Sequence, residues 1–166
     1  GLGDVYKRQG QIMSPWLIDV NGNKRSSGVA MAWGGYGTDI SSLPNMTSST
    51  QAEADFDSCG NTDKIVAAGS TYPAAWATRK YAPTADTAGK WCLPAAGIMT
   101  NIDNNQSAIQ NAISKAGGVS YPSCCTWSSS EYSSASAWSS SRGSSSGLNL
   151  LPKSNDYLYV YPVLEF

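Results

Sequence analysis

The chain contains no histidine, which removes the commonest general base and the usual Ser/His and Cys/His nucleophile pairs. Catalysis would have to use carboxylates, lysine or cysteine. The carboxylates Asp55, Asp57, Asp63, Asp86, Asp103, Glu131 and Asp156 are scattered, and no two have a spacing that sets them across a cleft. Cys59, Cys92, Cys124 and Cys125 include no Cys-x-x-Cys pair, and a mixed Cys/His zinc site is excluded without histidine. Small buried thiols are the favoured reading of these cysteines. A disulfide between two of them stays open, with a connectivity that sequence does not give, although the vicinal pair Cys124-Cys125 cannot easily bond to itself. Calcium would want six to eight oxygens. Those near Asn101 to Asn105 lie on a predicted helix and those of Asn155-Asp156 precede a strand, so neither a metal nor another cofactor is expected. What remains is the chemistry of recognition. From Cys124 to Ser146 serine dominates, yet Tyr132, Trp138 and Arg142 interrupt it, so the stretch is no plain flexible linker. Large rings among small hydroxyls suit a binding surface.

At 166 residues the chain suits a single domain able to bury its own core. Its net charge of −1 and lack of a basic block supply no phosphate-neutralising footprint, so nucleic acid is not an expected partner. No apolar run approaches the roughly 20 residues of a membrane span, and no signal peptide is visible. Gly1 to Gln9 resembles a translated sequencing-adapter tail. Residues 10–166 are therefore read as the domain, and the strand pattern closing at Phe166 makes it the expected C-terminal part of a longer protein.

The elements that must position such a surface follow from periodicity and punctuation. Ile12 to Val20 reads as a strand running into the turn Asn21-Gly22-Asn23. Met31, Trp33 and Tyr36 sit among Gly34, Gly35 and Gly37, a glycine loop without the Lys-Ser/Thr and following helix that phosphate binding needs. Thr50 to Gly69 is predicted helical with a break at Gly60-Asn61, and Tyr72 to Tyr81 is a second helix started by Pro73. Lys90 to Pro94 fits a brief buried strand. Ala95 to Ala116 is the longest helical candidate, with Ile98, Ile102, Ile109 and Ile113 on one stripe, a break near Asn104-Asn105 and a stop at Gly117-Gly118. Near the end, Leu158, Val160, Leu164 and Phe166 alternate with Tyr157, Tyr159, Val163 and Glu165, the pattern of a strand with one face in the core. Helices in the middle and strands late give an α+β class.

An ordered set of motifs carries a resemblance. Asn61-Thr62-x-x-Ile65, Tyr72-Pro73-Ala74-Ala75, Lys90-Trp91-Cys92-Leu93-Pro94, Gly117-Gly118, Trp127-Ser128-Ser129-Ser130-Glu131-Tyr132, Ala137-Trp138 and Pro162-Val163-x-x-Phe166 follow one another from Phe56 to Phe166. In that order they resemble the C-type-lectin-fold surface domains of bacteria and phages, which are related in fold to formylglycine-generating enzymes. The resemblance implies two helices flanking a small twisted antiparallel sheet, with long loops presenting a ligand surface. Some members are variable proteins of diversity-generating retroelements. By that analogy Trp91, Trp127, Glu131, Trp138, Pro162 and Val163 would form the fixed framework, Glu131 ordering its own turn by accepting backbone N–H bonds. The ligand-binding and mutable positions would be Ser133, Ser134, Ser136, Ser139, Ser141, Ser144, Asn149, Leu151, Asn155, Tyr157 and Tyr159. The chain departs from the pattern at Tyr161, where relatives often carry Arg, and over Ser139 to Leu151, which lacks an aromatic-rich strand. Cys124-Cys125 lacks the surroundings of the enzymes' cysteine pair.

Tyr offers large contacts at low entropy cost, and Ser and Asn offer adaptable hydrogen bonds, as a paratope requires. The expectation is a non-enzymatic module for adhesion or receptor recognition. It would stand outside the cell, on a cell surface or on a phage particle, and engage a protein or glycan there. The alternative is a structural domain of a fimbrial or cell-envelope protein without a dedicated ligand site.

Overall fold

The computed structural model describes residues 10–27, 29–120, 125–141 and 147–166. Gly1 to Gln9, Cys124, Arg142 and Ser144 lie outside them. The chain order is β1 (Gln11–Met13), β2 (Leu17–Ile18), β3 (Lys24–Arg25), α1 (Ser49–Glu53), α2 (Ser58–Ala67), α3 (Pro73–Lys80), β4 (Trp91–Cys92), α4 (Ala96–Asn104) and α5 (Gln106–Lys115). It ends with β5 (Thr126–Glu131), β6 (Ser136–Ser140), β7 (Leu148–Pro152) and β8 (Val163–Glu165). The class is mixed α+β. Five α-helices stand among the described residues, where two flanking helices were expected, because both long helical stretches are interrupted.

The second interruption falls where expected: Asn105 leaves helical geometry at φ −116°, ψ 26°, while its side-chain amide donates to Asn101 O at 2.8 Å. An Asn side chain that takes a backbone acceptor competes with the helix itself. The first interruption spans Ala54 to Asp57 and not Gly60-Asn61. Asp57 caps α2 by accepting from Gly60 N at 3.0 Å, and a Cβ on Gly60 would stand 2.4 Å from Asp57 Oδ1. Gly60 thus admits the cap that starts a helix, and the apparent breaker is a component of the start. Pro73 opens α3 at the first turn as predicted, and the isoleucine stripe buries Ile102 and Ile113 with Ile98 and Ile109 packed beside them.

Three antiparallel sheets form: β1-β8-β4, the hairpin β2-β3 and β5-β6-β7. Asp19 accepts from Asn21 N and Asn23 N and pairs with Arg25 at 2.5 Å, fixing the hairpin turn. The sheet β5-β6-β7 is the middle layer. Trp127 and Ala137 point into a core with Trp33, Ile65, Leu93, Leu158 and Val160, whereas Trp138 and Leu148 point oppositely, onto Met99, Ile102 and Tyr161. A sheet packed on both sides must bury its small polar residues as well, and Ser128, Ser129, Ser130, Ser139 and Ser140 are all buried. Their hydroxyls have internal partners: Ser128 Oγ donates to Trp138 O at 2.8 Å, Ser130 Oγ to Asp55 Oδ2 at 2.6 Å, Ser139 Oγ to Asn149 O at 3.3 Å, and Ser140 Oγ to Asp103. Much of the serine-rich stretch is interior, because short hydroxyl side chains let α2 and α4 approach the sheet while satisfying polar groups there.

Two further expectations change. Past Pro162 the alternation inverts, so Val163 is buried and Phe166 is 72% exposed. The segment bends at Tyr161-Pro162 to place β8 between β1 and β4, and Tyr161, itself buried, donates its hydroxyl toward Ser120 O at 3.3 Å. Cys59 and Cys92 are bonded to each other, correcting the reading of buried free thiols, while Cys125 is a free, half-buried cysteine.

Gly34 shows how closely the segments meet. At φ +100°, a Cβ there would lie 2.1 Å from Thr71 O and 2.6 Å from Pro73 Cδ. Gly34→Ala is therefore expected to destabilise by about 1–3 kcal/mol through combined backbone strain and displacement of the start of α3. Denaturant unfolding measures it; an unchanged midpoint would mean that the loop and α3 are not in this contact.

Candidate functional site

Three connections converge at one end of the middle sheet: residues 34–40 after Trp33, the turn 132–135 between β5 and β6, and residues 153–158 after β7. Backbone bonds join each to the others. Gly34 N donates to Lys153 O at 3.0 Å, Gly37 N to Ser134 O at 2.9 Å and Lys153 N to Ala135 O at 2.9 Å. Beneath them Lys153 is completely buried. Its ammonium pairs with the equally buried Glu131, donates to Thr38 O at 2.8 Å and lies 4.8 Å from the centre of the Trp33 ring. The second Glu131 oxygen accepts from Ile40 N at 3.3 Å, and Glu131 O accepts from Met46 N at 2.8 Å. Glu131 was expected to order its own turn, but the side-chain bonds among the described residues run elsewhere: the carboxylate ties β5 to the loop before α1 and to the segment after β7, and within the turn Ser133 Oγ accepts from Ala135 N at 3.3 Å. Burial pushes its carboxyl above the ordinary value of 4.5, against the pull of Lys153 and the Ile40 N–H. Tyr72 is raised too, by burial first and then by the nearby Glu131 charge.

Above this buried pair stand the residues that a ligand could touch. Tyr157 is 59% exposed and its hydroxyl accepts from Asn155 Nδ2 at 2.9 Å. Ser133, Ser134, Ser136, Leu151 and Asn155 are half-exposed on the turn, on β6 and β7, and on the segment beyond. The other expected positions do not join them. Ser139 is fully buried. Ser141 follows the far end of β6, with Asn149 paired to Ser139, and Tyr159 bridges Thr126 at that same end. At about 3.3 Å per strand residue, Ser136 and Ser141 stand some 16 Å apart. The framework positions Trp91, Trp127, Glu131, Trp138 and Pro162 are all buried. Trp127 Nε1 donates to Met31 O and Trp138 Nε1 to Met46 O, each at 2.8 Å.

Two residues of this cluster escape sequence reasoning. Tyr36, 61% exposed between Gly35 and Gly37, carries a visible signal, since an aromatic flanked by glycines has little to pack against locally. Lys153 carries none. A lysine after a proline reads as a solvated turn, and only the partner 22 residues earlier makes it a core residue.

Chemically the site is rigid and donor-rich, with hydroxyls, amides and two tyrosine rings facing out. Its charged pair is sealed below the surface. Among the described residues, no group of three or more His, Cys, Asp or Glu side chains is placed to hold a metal ion, and no helix is long and apolar enough to cross a membrane. Comparison of the chain with family models, with curated proteins and with solved structures finds no match in any of the three.

Proposed function

We propose that the chain is a non-enzymatic recognition module of C-type-lectin-like fold, working outside the cell, on a cell surface or on a phage particle. It engages a protein or glycan through the loop cluster that carries Tyr36, Ser133, Ser134, Ser136, Leu151, Asn155 and Tyr157. One observation carries this reading: three loops with exposed tyrosines, serines and amides are tied to one another over a single buried ion pair. Loops fixed before contact lose little entropy on binding, which is what a recognition surface gains from such a device. Rigid support of this kind does nothing for a structural spacer. If the chain is a variable protein, the diversified face is this cluster, with Ser139 outside it.

The test is a screen of the full chain against glycans and purified bacterial surface proteins, repeated with Tyr36→Ser/Tyr157→Ser and with Asn155→Ala. Loss of a bound ligand by at least about tenfold in the double variant is expected, because exposed tyrosines are frequent binding anchors. Circular dichroism should be unchanged, since neither ring is buried. Equal binding by parent and variants would move the ligand elsewhere, and no ligand at all would favour a structural domain of a cell-envelope protein.

A further inference from the structure

A cavity of about 470 Å³ opens where the β2-β3 hairpin meets the C-terminal end of α3, and none of its lining residues belongs to the loop cluster. The cluster lies by the other end of α3, where Gly34 abuts Thr71 and Pro73. Trp16, Pro83, Tyr81 and Trp91 supply the walls, and Asn23 and Lys24 the polar edge. Tyr81 and Trp91 meet edge to face at 5.0 Å, and Tyr81 Oη accepts from Ser14 Oγ at 3.0 Å, so two walls are fixed.

Two polar groups of this lining, on Trp91 and Lys24, are unpaired among the described residues, and both are donors. Trp91 is 6% exposed and its indole Nε1 is buried with no hydrogen-bond partner among the described residues. A buried donor of this kind calls for an explanation. Lys24 takes part in none of the ion pairs among the described residues; its ammonium rests 5.0 Å from the centre of the Trp16 ring. The neighbouring Asp19 charge is neutralised by Arg25, and the Asn23 amide nitrogen is directed to Asp19 at 3.3 Å. A cavity of this size with aromatic walls and, at its edge, one cation outside the ion pairs of the described residues is complementary to a ligand with an apolar planar body and negative charge.

The geometry points to a binding site for a planar aromatic ring carrying a carboxylate, its charge at Lys24 and its ring against Trp16, Tyr81, Pro83 and Trp91. The same chemistry is offered by a free arylalkanoic acid and by a peptide that ends in an aromatic residue. The site is independent of the recognition surface proposed above.

Nuclear magnetic resonance of the tryptophan indole N–H groups in the full chain tests it. The Trp91 signal is identified as the one absent from Trp91→Phe. Titration with 3-phenylpropionate is expected to shift the Trp91 and Trp16 signals saturably, while 3-phenylpropanamide, equal in shape but uncharged, binds about tenfold more weakly. Lys24→Gln, a surface change that leaves the core intact, should erase that difference, and Lys115→Gln, which removes a distant exposed cation, should not. A short peptide ending in Phe that binds more tightly than the free acid identifies a chain terminus as the source, and the reverse order identifies a small acid. Absence of saturable shifts with all three ligands, equal affinity for acid and amide, or an acid preference that survives Lys24→Gln would overturn the assignment.

Discussion

Lys153→Met is expected to destabilise the protein by about 3–5 kcal/mol, since removal of one member of a buried pair leaves the other charge uncompensated. Net stability of a domain is only about 5–15 kcal/mol, so this single change takes a large share of it. The stranded group is Glu131, completely buried and left with the Ile40 N–H as its remaining side-chain partner in the pair's surroundings. The variant also orphans Thr38 O. By contrast, Glu131→Leu/Lys153→Met removes both charges and should be less destabilised than either single variant. Denaturant unfolding of the four proteins gives the coupling energy; additive losses would show that the two groups do not interact.

The pH dependence of that loss has a definite sign. The Glu131 carboxyl is held above its ordinary 4.5 by burial, so folding favours its protonated form. Its contribution to stability is fully present below 4.5 and is lost as pH rises through the folded-state value. Without Lys153 the upward push is stronger, because the opposing ammonium is gone. The deficit of Lys153→Met should then be greatest near neutrality and shrink near about pH 4, where Glu131 enters the core uncharged. A deficit equal at both pH values would locate the loss in packing around Trp33 and not in charge.

Sequence and structure agree where the signal is local. Pro73 starts α3, Asn105 divides α4 from α5, and Trp91-Cys92 before Pro94 forms a short buried strand. Each of these is decided by residues within one helical turn. They part where a partner lies far along the chain. Ser128 to Ser140 read as exposed hydroxyls, yet Asp55 and Asp103, which receive Ser130 and Ser140, lie 75 and 37 residues away. Glu131 could be named as framework but not its partner, because Lys153, 22 residues on, looks like a solvated charge alone. The loop cluster was half legible for the same reason: its outward residues Ser133, Ser134, Asn155 and Tyr157 could be named, while the buried pair that aligns the loops could not. Inversion of the last strand belongs with these cases, since β8 takes its place between β1 and β4, both far away along the chain.

Loss of the Cys59–Cys92 bond should cost about 3–4 kcal/mol, the chain entropy returned to the unfolded state by opening a loop with 33 residues of separation. That loop holds α2, α3 and the Trp91 wall of the cavity. Arg79 bridges the same region, donating to Gly89 O, Trp91 O and the Cys92 sulfur and pairing with Asp63 at 2.5 Å. The exposed ion pair contributes little alone, so the covalent link restrains α2 relative to β4 together with two buried hydrogen bonds, Leu93 N to Thr62 Oγ1 at 3.0 Å and Ala95 N to Ser58 Oγ at 2.9 Å. Reduction, or Cys59→Ala/Cys92→Ala, is expected to lower the thermal midpoint by roughly 10 °C in a domain of this size. The unfolding midpoint with and without reductant measures this, with alkylation of both thiols verifying that the bond has opened. An unchanged midpoint with alkylated Cys59 and Cys92 would show that Arg79 and the β4-β8 pairing hold the region unaided. A drop of the expected size would make an oxidising compartment a condition of full stability, since such bonds persist outside the reducing cytosol, and would support the extracellular placement proposed for the recognition surface.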